Sequence, residues 1–292
     1  MHDGPRMRIG ISGWSYGSWR GVFYPKGLRQ KDELAYAAAI FSAIEINGTF
    51  YSLQRPQSFL QWAGATPDRF QFAIKGPRYI THMLRLKNVE LALANFLASG
   101  VLALGQKLGP IVWQFPANFQ FDAARFEAFL ELLPKDTAAA AKLAGKHDAR
   151  LDGRDWTKAD ARRRLRHAFE IRNASFDCPA FMALLRRHNA ALVVADAVGW
   201  PRLMEVTADF VYCRLHGSKE LYSSGYGPAA LRRWADRAFE WAGAGDDVFV
   251  FFDNDAKVEA PFNAGALQRA LDRRCASANS PKVAKRKSKR GK

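Results

Sequence analysis

Eight short runs rich in β-branched and aromatic residues recur along this 292-residue chain. They lie at 8–14 (RIGISGW), 43–50 (AIEINGTF), 71–77 (QFAIKGP), 108–116 (LGPIVWQFP), 166–172 (RHAFEIR), 191–196 (ALVVAD), 210–217 (FVYCRLHG) and 247–255 (DVFVFFDND). Such runs are strands, and the stretches between them are long enough to hold a returning helix. Residues 31–42 put Leu34, Ala38 and Phe41 on one helical face, and 88–105 opens at an asparagine and closes near Gly105. Segments 122–133, 177–188 and 228–242 have the same period, and a last helix over 263–274 starts at Asn263 with Leu267 and Leu271 one turn apart. Strands alternating with helices predict a parallel sheet, and eight of them predict closure into a single α/β domain, the (β/α)8 or TIM barrel. An open doubly wound sheet fails its motif tests: no G-x-G-x-x-G follows the first strand, and GVLALGQ at 100–106 lacks the P-loop lysine. The widest gap, between strands four and five, holds an Ala-rich, basic segment at 134–165, read as a basic helical insertion on the rim.

Composition sets the remaining bounds. Hydrophobic residues make up 48% and charged residues 25%, and no apolar run approaches the roughly 20 residues of a membrane span. The N-terminus, MHDGPRMRIGISGW, lacks the pattern of an export signal, so a cytoplasmic protein is expected. Cys178, Cys213 and Cys275 are odd in number and far apart, which argues against a disulfide framework or cysteine zinc site and for small buried residues. Seven of the sixteen net positive charges fall in the last eleven residues, KVAKRKSKRGK. Residues 1–275 are therefore read as the barrel and 276–292 as a disordered basic tail. Such a tail attracts polyanions with salt-sensitive affinity, which makes nucleic acid a candidate partner.

In a barrel, alternate strand positions face inward, and active sites form at the C-terminal strand ends. Polar residues late in the apolar runs are therefore the candidate ligand-binding set: Glu45, Asn47 and Thr49, then Lys75, Gln114, Glu170 with Arg172, Asp196, Arg214 with His216, and Asp253. Those that come in groups share one parity, so they are expected to converge on one mouth. The competing account is an ion-pair network that satisfies only itself, with Glu45–Lys75, Arg172–Asp196 and Arg214–Asp253 as pairs. Counting those pairs leaves Glu170 and His216 without a charged partner, which makes them the first choices for catalytic proton transfer. The first loop brings Trp14, Tyr16, Trp19, Phe23 and Tyr24, and the seventh brings Tyr222 and Tyr226 among serines and glycine. Aromatic faces beside hydroxyl and charged groups suit a sugar ring or nucleobase, and Lys75, Arg172 and Arg214 suit a small anionic ligand. No cofactor is indicated. Glu170, Asp196 and His216 would suit a divalent ion, although no compact ligand spacing supports one. Gln114 and His216 stand where barrel glycosidases commonly carry their acid pair, and G-x-S-x-G is missing.

These stretches resemble the YecE-like family, domain of unknown function seventy-two in its series. The matching strings are GISGWSYGSWRGVFYP (10–25), IEINGTFYSLQRPQSFLQWAGATPDRFQFAIKGPRYITH (44–82), LGPIVWQFP (108–116), HAFEIRNASF (167–176), FVYCRLHG (210–217) and the FFDND region with APFNA (251–264). They cover nearly the whole chain except its two ends and 134–165. The resemblance implies a TIM barrel and supplies no activity. The family's histidine after E-x-R is Asn173 here, which puts a role at that position in doubt.

Two functional readings follow. One is an enzyme acting at the mouth on an anionic, phosphate-containing or sugar-like substrate, with Glu170 or His216 as general acid or base and Lys75, Arg172 and Arg214 stabilising charge. The other is a nucleic-acid-binding or phosphodiester-processing protein that grips the backbone with its tail and the basic segment 158–166. A barrel that binds a metabolite without turning it over is the third, plainer reading.

Overall fold

The computed structural model describes residues 6–279. The eight runs form strands β1 (Met7–Ser12), β2 (Ala43–Ile46), β3 (Gln71–Lys75), β4 (Leu108–Gln114), β5 (His167–Glu170), β6 (Ala191–Asp196), β7 (Phe210–Leu215) and β8 (Asp247–Phe252). Each pairs in parallel with the next, and β8 pairs with β1 to close the barrel. Helices α1 (Glu33–Ile40), α2 (Gly48–Tyr51), α3 (Pro56–Gly64), α4 (Glu90–Ala98), α5 (Ala123–Leu132), α6 (Thr137–Ala144), α7 (Pro179–Arg187), α8 (Pro228–Gly243) and α9 (Glu259–Asn279) lie between and after them. The crossover at 197–209 is irregular. No described helix is long and apolar enough to cross a membrane.

Strand alternation divides the core into two shells. Outward residues such as Ile11, Ile44, Ile74 and Phe169 pack under the helices. The inward shell holds small residues on one side of the barrel (Ala43, Ala73, Val112, Ala168) and aromatic ones on the other (Phe210, Tyr212, Phe249, Phe251). The barrel is thus filled from β7 and β8, and the facing strands give way. Gly10 belongs to this small side: a Cβ there would stand 1.9 Å from the Ala43 carbonyl oxygen.

Several boundaries differ from the sequence expectation. The 88–105 helix stops at Ala98 because Gly100 turns into the left-handed region (φ 119°), after which the chain continues in 3-10 turns over Val101–Lys107. The final helix begins four residues before Asn263 and runs to Asn279, past the expected domain end at 275. Residues 276–279 are therefore helical, and 280–292 of the expected tail lie outside the described residues. Cys213 is buried as expected, whereas Cys178 and Cys275 are half-buried, and all three are free.

The insertion is helical only over α6, which Asp136 caps by accepting the Ala139 N–H at 2.8 Å, and in a short turn at Ala149–Leu151. Its basic end lies at the N-terminal end of the barrel, opposite the strand ends that carry the candidate site. Arg164 pairs with Asp209 just ahead of β7, and Arg166 pairs with Asp247 at the first residue of β8. Arg162 and Arg163 face Asp136 and Asp160. The four arginines of the segment already face carboxylates and do not form a free cationic stripe.

Gly10→Ala is expected to lower unfolding stability by about 1–3 kcal/mol, the usual range for overpacking a close-packed interior. Gly243→Ala, at the last turn of α8 where an added Cβ meets nothing within 4 Å, is expected to raise it by about 0.5–1 kcal/mol. Denaturant titration of both variants measures this; equal midpoints would contradict the close approach of β1 to β2.

Candidate functional site

Above the apolar layer, the next inward position of most strands is polar. Ser12, Glu45, Lys75, Gln114, Glu170, Arg214 and Asp253 continue the same alternation. Arg214 is fully buried and organises the others. Its Nη2 donates to Glu45 Oε1 at 2.8 Å and to Asp253 Oδ2 at 2.9 Å, its Nε to Glu45 Oε2 at 3.1 Å, and its Nη1 to Glu170 Oε2 at 2.5 Å. Ser12 and Tyr212 hydroxyls complete Glu45 at 3.1 and 2.6 Å. His216 stands between two of the acids, with Nε2 3.2 Å from Glu170 Oε2 and Nδ1 3.0 Å from Asp253 Oδ2, the second contact being poorly aligned for a hydrogen bond.

Charges in so dry a place persist only by mutual pairing. Burial works against the Arg214 charge, but Asp253, Glu170 and Glu45 outweigh it and hold the guanidinium protonated. Burial would raise Glu170, but Arg214, Arg172 and His216 keep it well below the usual carboxylate range. The same balance brings Asp253 to about 2, with Arg214 the largest opposing influence. Burial disfavours the imidazolium of His216, and Glu170 and Asp253 raise its pKa in spite of that.

Over this network opens a cavity of about 680 Å³. Lys75, Gln114, Arg172 and Asp253 line it from the barrel end, and Trp14, Tyr16, Asn47, Phe50, Tyr51, Gln54, Trp62, Tyr222 and Asp255 line it from the loops. Arg172 is held on three sides. Its Nε and Nη2 donate to Glu170 Oε1 at 3.1 and 2.9 Å, Nη2 also reaches the Tyr222 hydroxyl at 3.2 Å, and the guanidinium lies 3.8 Å from the centre of the Trp200 ring. Lys75 Nζ sits 4.5 Å from the Phe50 ring centre. Burial, then Arg214, lower its pKa to about 8 against the opposing pull of Asp253, Glu45 and Glu170. Tyr16 donates its hydroxyl to the Ser12 carbonyl at 2.6 Å.

The expected residues thus fall into three groups. Trp14, Tyr16, Asn47, Lys75, Gln114, Arg172 and Asp253 meet at the cavity. Glu45, Glu170, Arg214 and His216 lie beneath it, wholly buried. Thr49, Asp196 and Tyr226 do not join them. β2 ends at Ile46, so Asn47 and Thr49 follow a new helical turn rather than the strand, and the Thr49 hydroxyl is engaged by the Ile46 and Lys75 carbonyls. Asp196 has the outward parity of Val194. It pairs with Arg202 at 3.2 Å in a separate pocket of about 320 Å³ that it shares with Tyr226, Arg233 and Arg237. The Tyr226 hydroxyl accepts the Gly217 N–H at 3.1 Å.

The expected pairings are corrected accordingly. Arg172 pairs with Glu170 rather than Asp196, and Glu45 pairs with Arg214 rather than Lys75, while Arg214–Asp253 is present. Glu170 and His216, expected to lack charged partners, are among the most heavily paired groups in the barrel. With Asp196 on the other side of the sheet, the suggested metal triad does not assemble, and no group of three or more His, Cys, Asp or Glu suited to a metal ion occurs among the described residues. Asn173 caps a short turn and donates to the Ala117 carbonyl at 2.7 Å. Phe50, Tyr51, Gln54 and Trp62 escaped sequence reasoning because they come from α2, α3 and their link rather than from a strand end. Trp200 lies in a loop with no strand parity to mark it, whereas Asp255 closes the eighth run two residues after Asp253 and its matching parity could have found it.

A family model described as "Protein of unknown function DUF72" matches residues 8–287. The chain belongs to the DUF72 family. It is 31% identical over 111 residues to the UPF0759 protein YecE of Escherichia coli (strain K12), a match spanning 38% of each chain. It is 28% identical over 122 residues to the UPF0759 protein YunF of Bacillus subtilis (strain 168), spanning 38% of this chain and 40% of that one. The chain therefore matches about two-fifths of the length of these curated relatives. A solved DUF72 family protein of Thermotoga maritima is similar with a TM-score of 0.73 and 26% identity, over 91% of this chain and 99% of that one. One from Enterococcus faecalis V583 has a TM-score of 0.71 and 17% identity, over 91% and 95%.

Two outcomes follow for this DUF72 barrel. Arg214→Met leaves three buried carboxylates facing an apolar side chain and is expected to cost about 3–5 kcal/mol in denaturant titration; a loss no larger than that of an exposed arginine would contradict the network. Asp253 and Glu170 have folded pKa values below those of the unfolded chain, so their contribution is complete above about pH 4, where unfolded carboxyls are ionised. It is lost as pH falls through the folded value, about 2 for Asp253. Stability should thus fall across that acid window, and Asp253→Asn should flatten the fall.

Proposed function

We propose that the chain is an enzyme that takes a small anionic, phosphate-containing or sugar-like substrate into the mouth of its barrel. The observation that carries this reading is the cavity itself: two cations, Lys75 and Arg172, at its barrel end and aromatic rings around its sides. Arg172 is fixed before any ligand arrives, so binding an anion there needs little reorganisation. Its Nε and Nη2 are engaged, which leaves Nη1 for a phosphate or carboxylate oxygen. Trp14 and Trp62 meet edge to face with ring centres 5.5 Å apart, giving a firm apolar wall for a ring or carbon chain. Asp253, held ionised, accepts hydroxyl hydrogen bonds rather than donating protons. Lys75, with its pKa near 8, exchanges a proton close to neutral pH.

Glu170 and His216 then act as positioning residues: Glu170 holds Arg172, and His216 braces Glu170 against Asp253. Nucleic-acid binding through segment 158–166 has no comparable cavity behind it, because the arginines of that segment are engaged at the other end of the barrel.

Calorimetric titration with inorganic phosphate, glyceraldehyde 3-phosphate, ribose 5-phosphate and glucose 6-phosphate tests the reading. At least one should bind, and Arg172→Met should weaken it about ten- to hundredfold, the worth of one or two hydrogen bonds to a charged group. Arg233→Met, in the separate pocket, should leave binding unchanged. Absence of binding across the panel, or equal affinity in Arg172→Met, would overturn it.

A further inference from the structure

We propose that Lys75 is a nucleophile that condenses with an aldehyde or ketone carbonyl of the substrate, so that the substrate class is a small carbonyl compound bearing an anionic group. This rests on the mouth being the substrate site and goes beyond it by assigning the bond that forms there.

The case begins with what Lys75 does not do. Among the described residues its ammonium makes no hydrogen bond or ion pair; its recorded partner is the face of Phe50. The other cations at this end have carboxylate partners: Arg214 binds Glu45, Glu170 and Asp253, and Arg172 binds Glu170 through Nε and Nη2. The buried acids are paired with those arginines and with His216, and among the described residues none of them, nor Asp255 on the loop side of the cavity, lies within ion-pair distance of the Lys75 ammonium. A structural lysine in the same chain looks different. Lys107, equally buried, donates to the Ala63 and Thr66 carbonyls at 2.6 Å each and reaches the Thr66 hydroxyl at 3.3 Å. A lysine kept for structure finds oxygen atoms; Lys75 is held on a ring at the edge of a cavity.

This setting favours the free amine. Burial and the neighbouring Arg214 bring Lys75 to about 8, so the neutral amine is more accessible near neutral pH than for an ordinary lysine, whose pKa is about 10.4. Desolvation beside a second cation is a recognised way to activate an amine toward carbonyl groups.

The step balances without an oxidant or reductant. The Nζ lone pair attacks the carbonyl carbon, and the C=O electron pair moves to oxygen, which takes up a proton. That proton is one of the two on nitrogen; the second is transferred as the hydroxyl leaves as water, and a C=N bond joins Lys75 to the substrate carbon. Tyr222 and Asp255 line the same cavity and are at hand to pass protons to the departing oxygen. Arg172, at the same end of the cavity, holds the anionic group and places the carbonyl over Nζ.

The test is reductive trapping with the full chain. Pyruvate, dihydroxyacetone phosphate and glyceraldehyde 3-phosphate are each added with sodium borohydride, and intact mass and peptide maps are read. One adduct per chain is expected, heavier by the probe less one oxygen atom and located on the peptide with Lys75. Lys75→Arg, which keeps the charge, and Lys75→Met should both abolish it, whereas Lys26→Arg should not. Adducts scattered over surface lysines, or undiminished labelling in Lys75→Arg, would overturn the proposal. A probe that binds in an Arg172-dependent manner yet leaves no adduct overturns the imine and leaves the mouth as the substrate site. Neither binding nor adduct with any probe overturns both.

Discussion

The upper half of this barrel depends on one buried guanidinium. Arg214 rises from β7 and reaches carboxylates on β2, β5 and β8, so a single side chain ties strands on opposite sides of the barrel. An arginine suits the task because its planar fork offers several donors at fixed angles and does not lose its charge at any ordinary pH. The arrangement is tolerable only as a whole, since each buried acid relies on the same partner and all three guanidinium nitrogens donate to carboxylates. What it contributes is position more than stability: the acids cannot move without stranding a charge.

That positioning depends in turn on how the barrel is filled. Aromatic side chains from β7 and β8 occupy the interior, and the strands facing them carry alanine and glycine. Tyr212 belongs to both systems, packing its ring near Phe249 and Phe251 while its hydroxyl donates to Glu45. Apolar filling and ion network are therefore one construction, and Arg214 stands on the aromatic layer at a height its length can span.

The mouth inherits its chemistry from this layer. Glu170 uses one oxygen on Arg214 and the other on Arg172, which transmits the order of the buried network to a cation that faces the cavity. His216 and Asp253 link the same acids around the other side. Lys75 has an aromatic face for company, and the unequal treatment of Lys75 and Arg172 gives two cations at one site different properties: one fixed in place by its partners, the other brought toward neutral pH by burial and Arg214.

Much of this was legible in the sequence. Apolar runs separated by helix-length crossovers gave strands in the right order, because local alternation and length suffice to mark a parallel barrel strand. Glu170 and Arg214 were legible from the parity each shares with a second polar residue, and Lys75, Gln114 and Asp253 from their place at the ends of apolar runs. Asp196 shows the limit: like Lys75 and Gln114 it stands alone at its strand end, with no second polar residue from which to read parity, and unlike them it faces away. Thr49 shows another, since nothing local announced that β2 gives way to a helical turn two residues after Glu45. Partner choice was beyond the sequence altogether. Which acids Arg214 meets depends on side-chain reach across a closed barrel, where strands far apart in the chain face one another, and Arg172 turns back to Glu170 two residues before it; pairing each residue with the next strand therefore left Glu170 and His216 free when they are among the most heavily paired. The sequence determined the eightfold alternation and the two faces of each run, because both are properties of the chain's own period. Only the closed barrel decided which charges meet and which cation is left to the cavity, because those depend on distances that exist only once β8 has paired with β1.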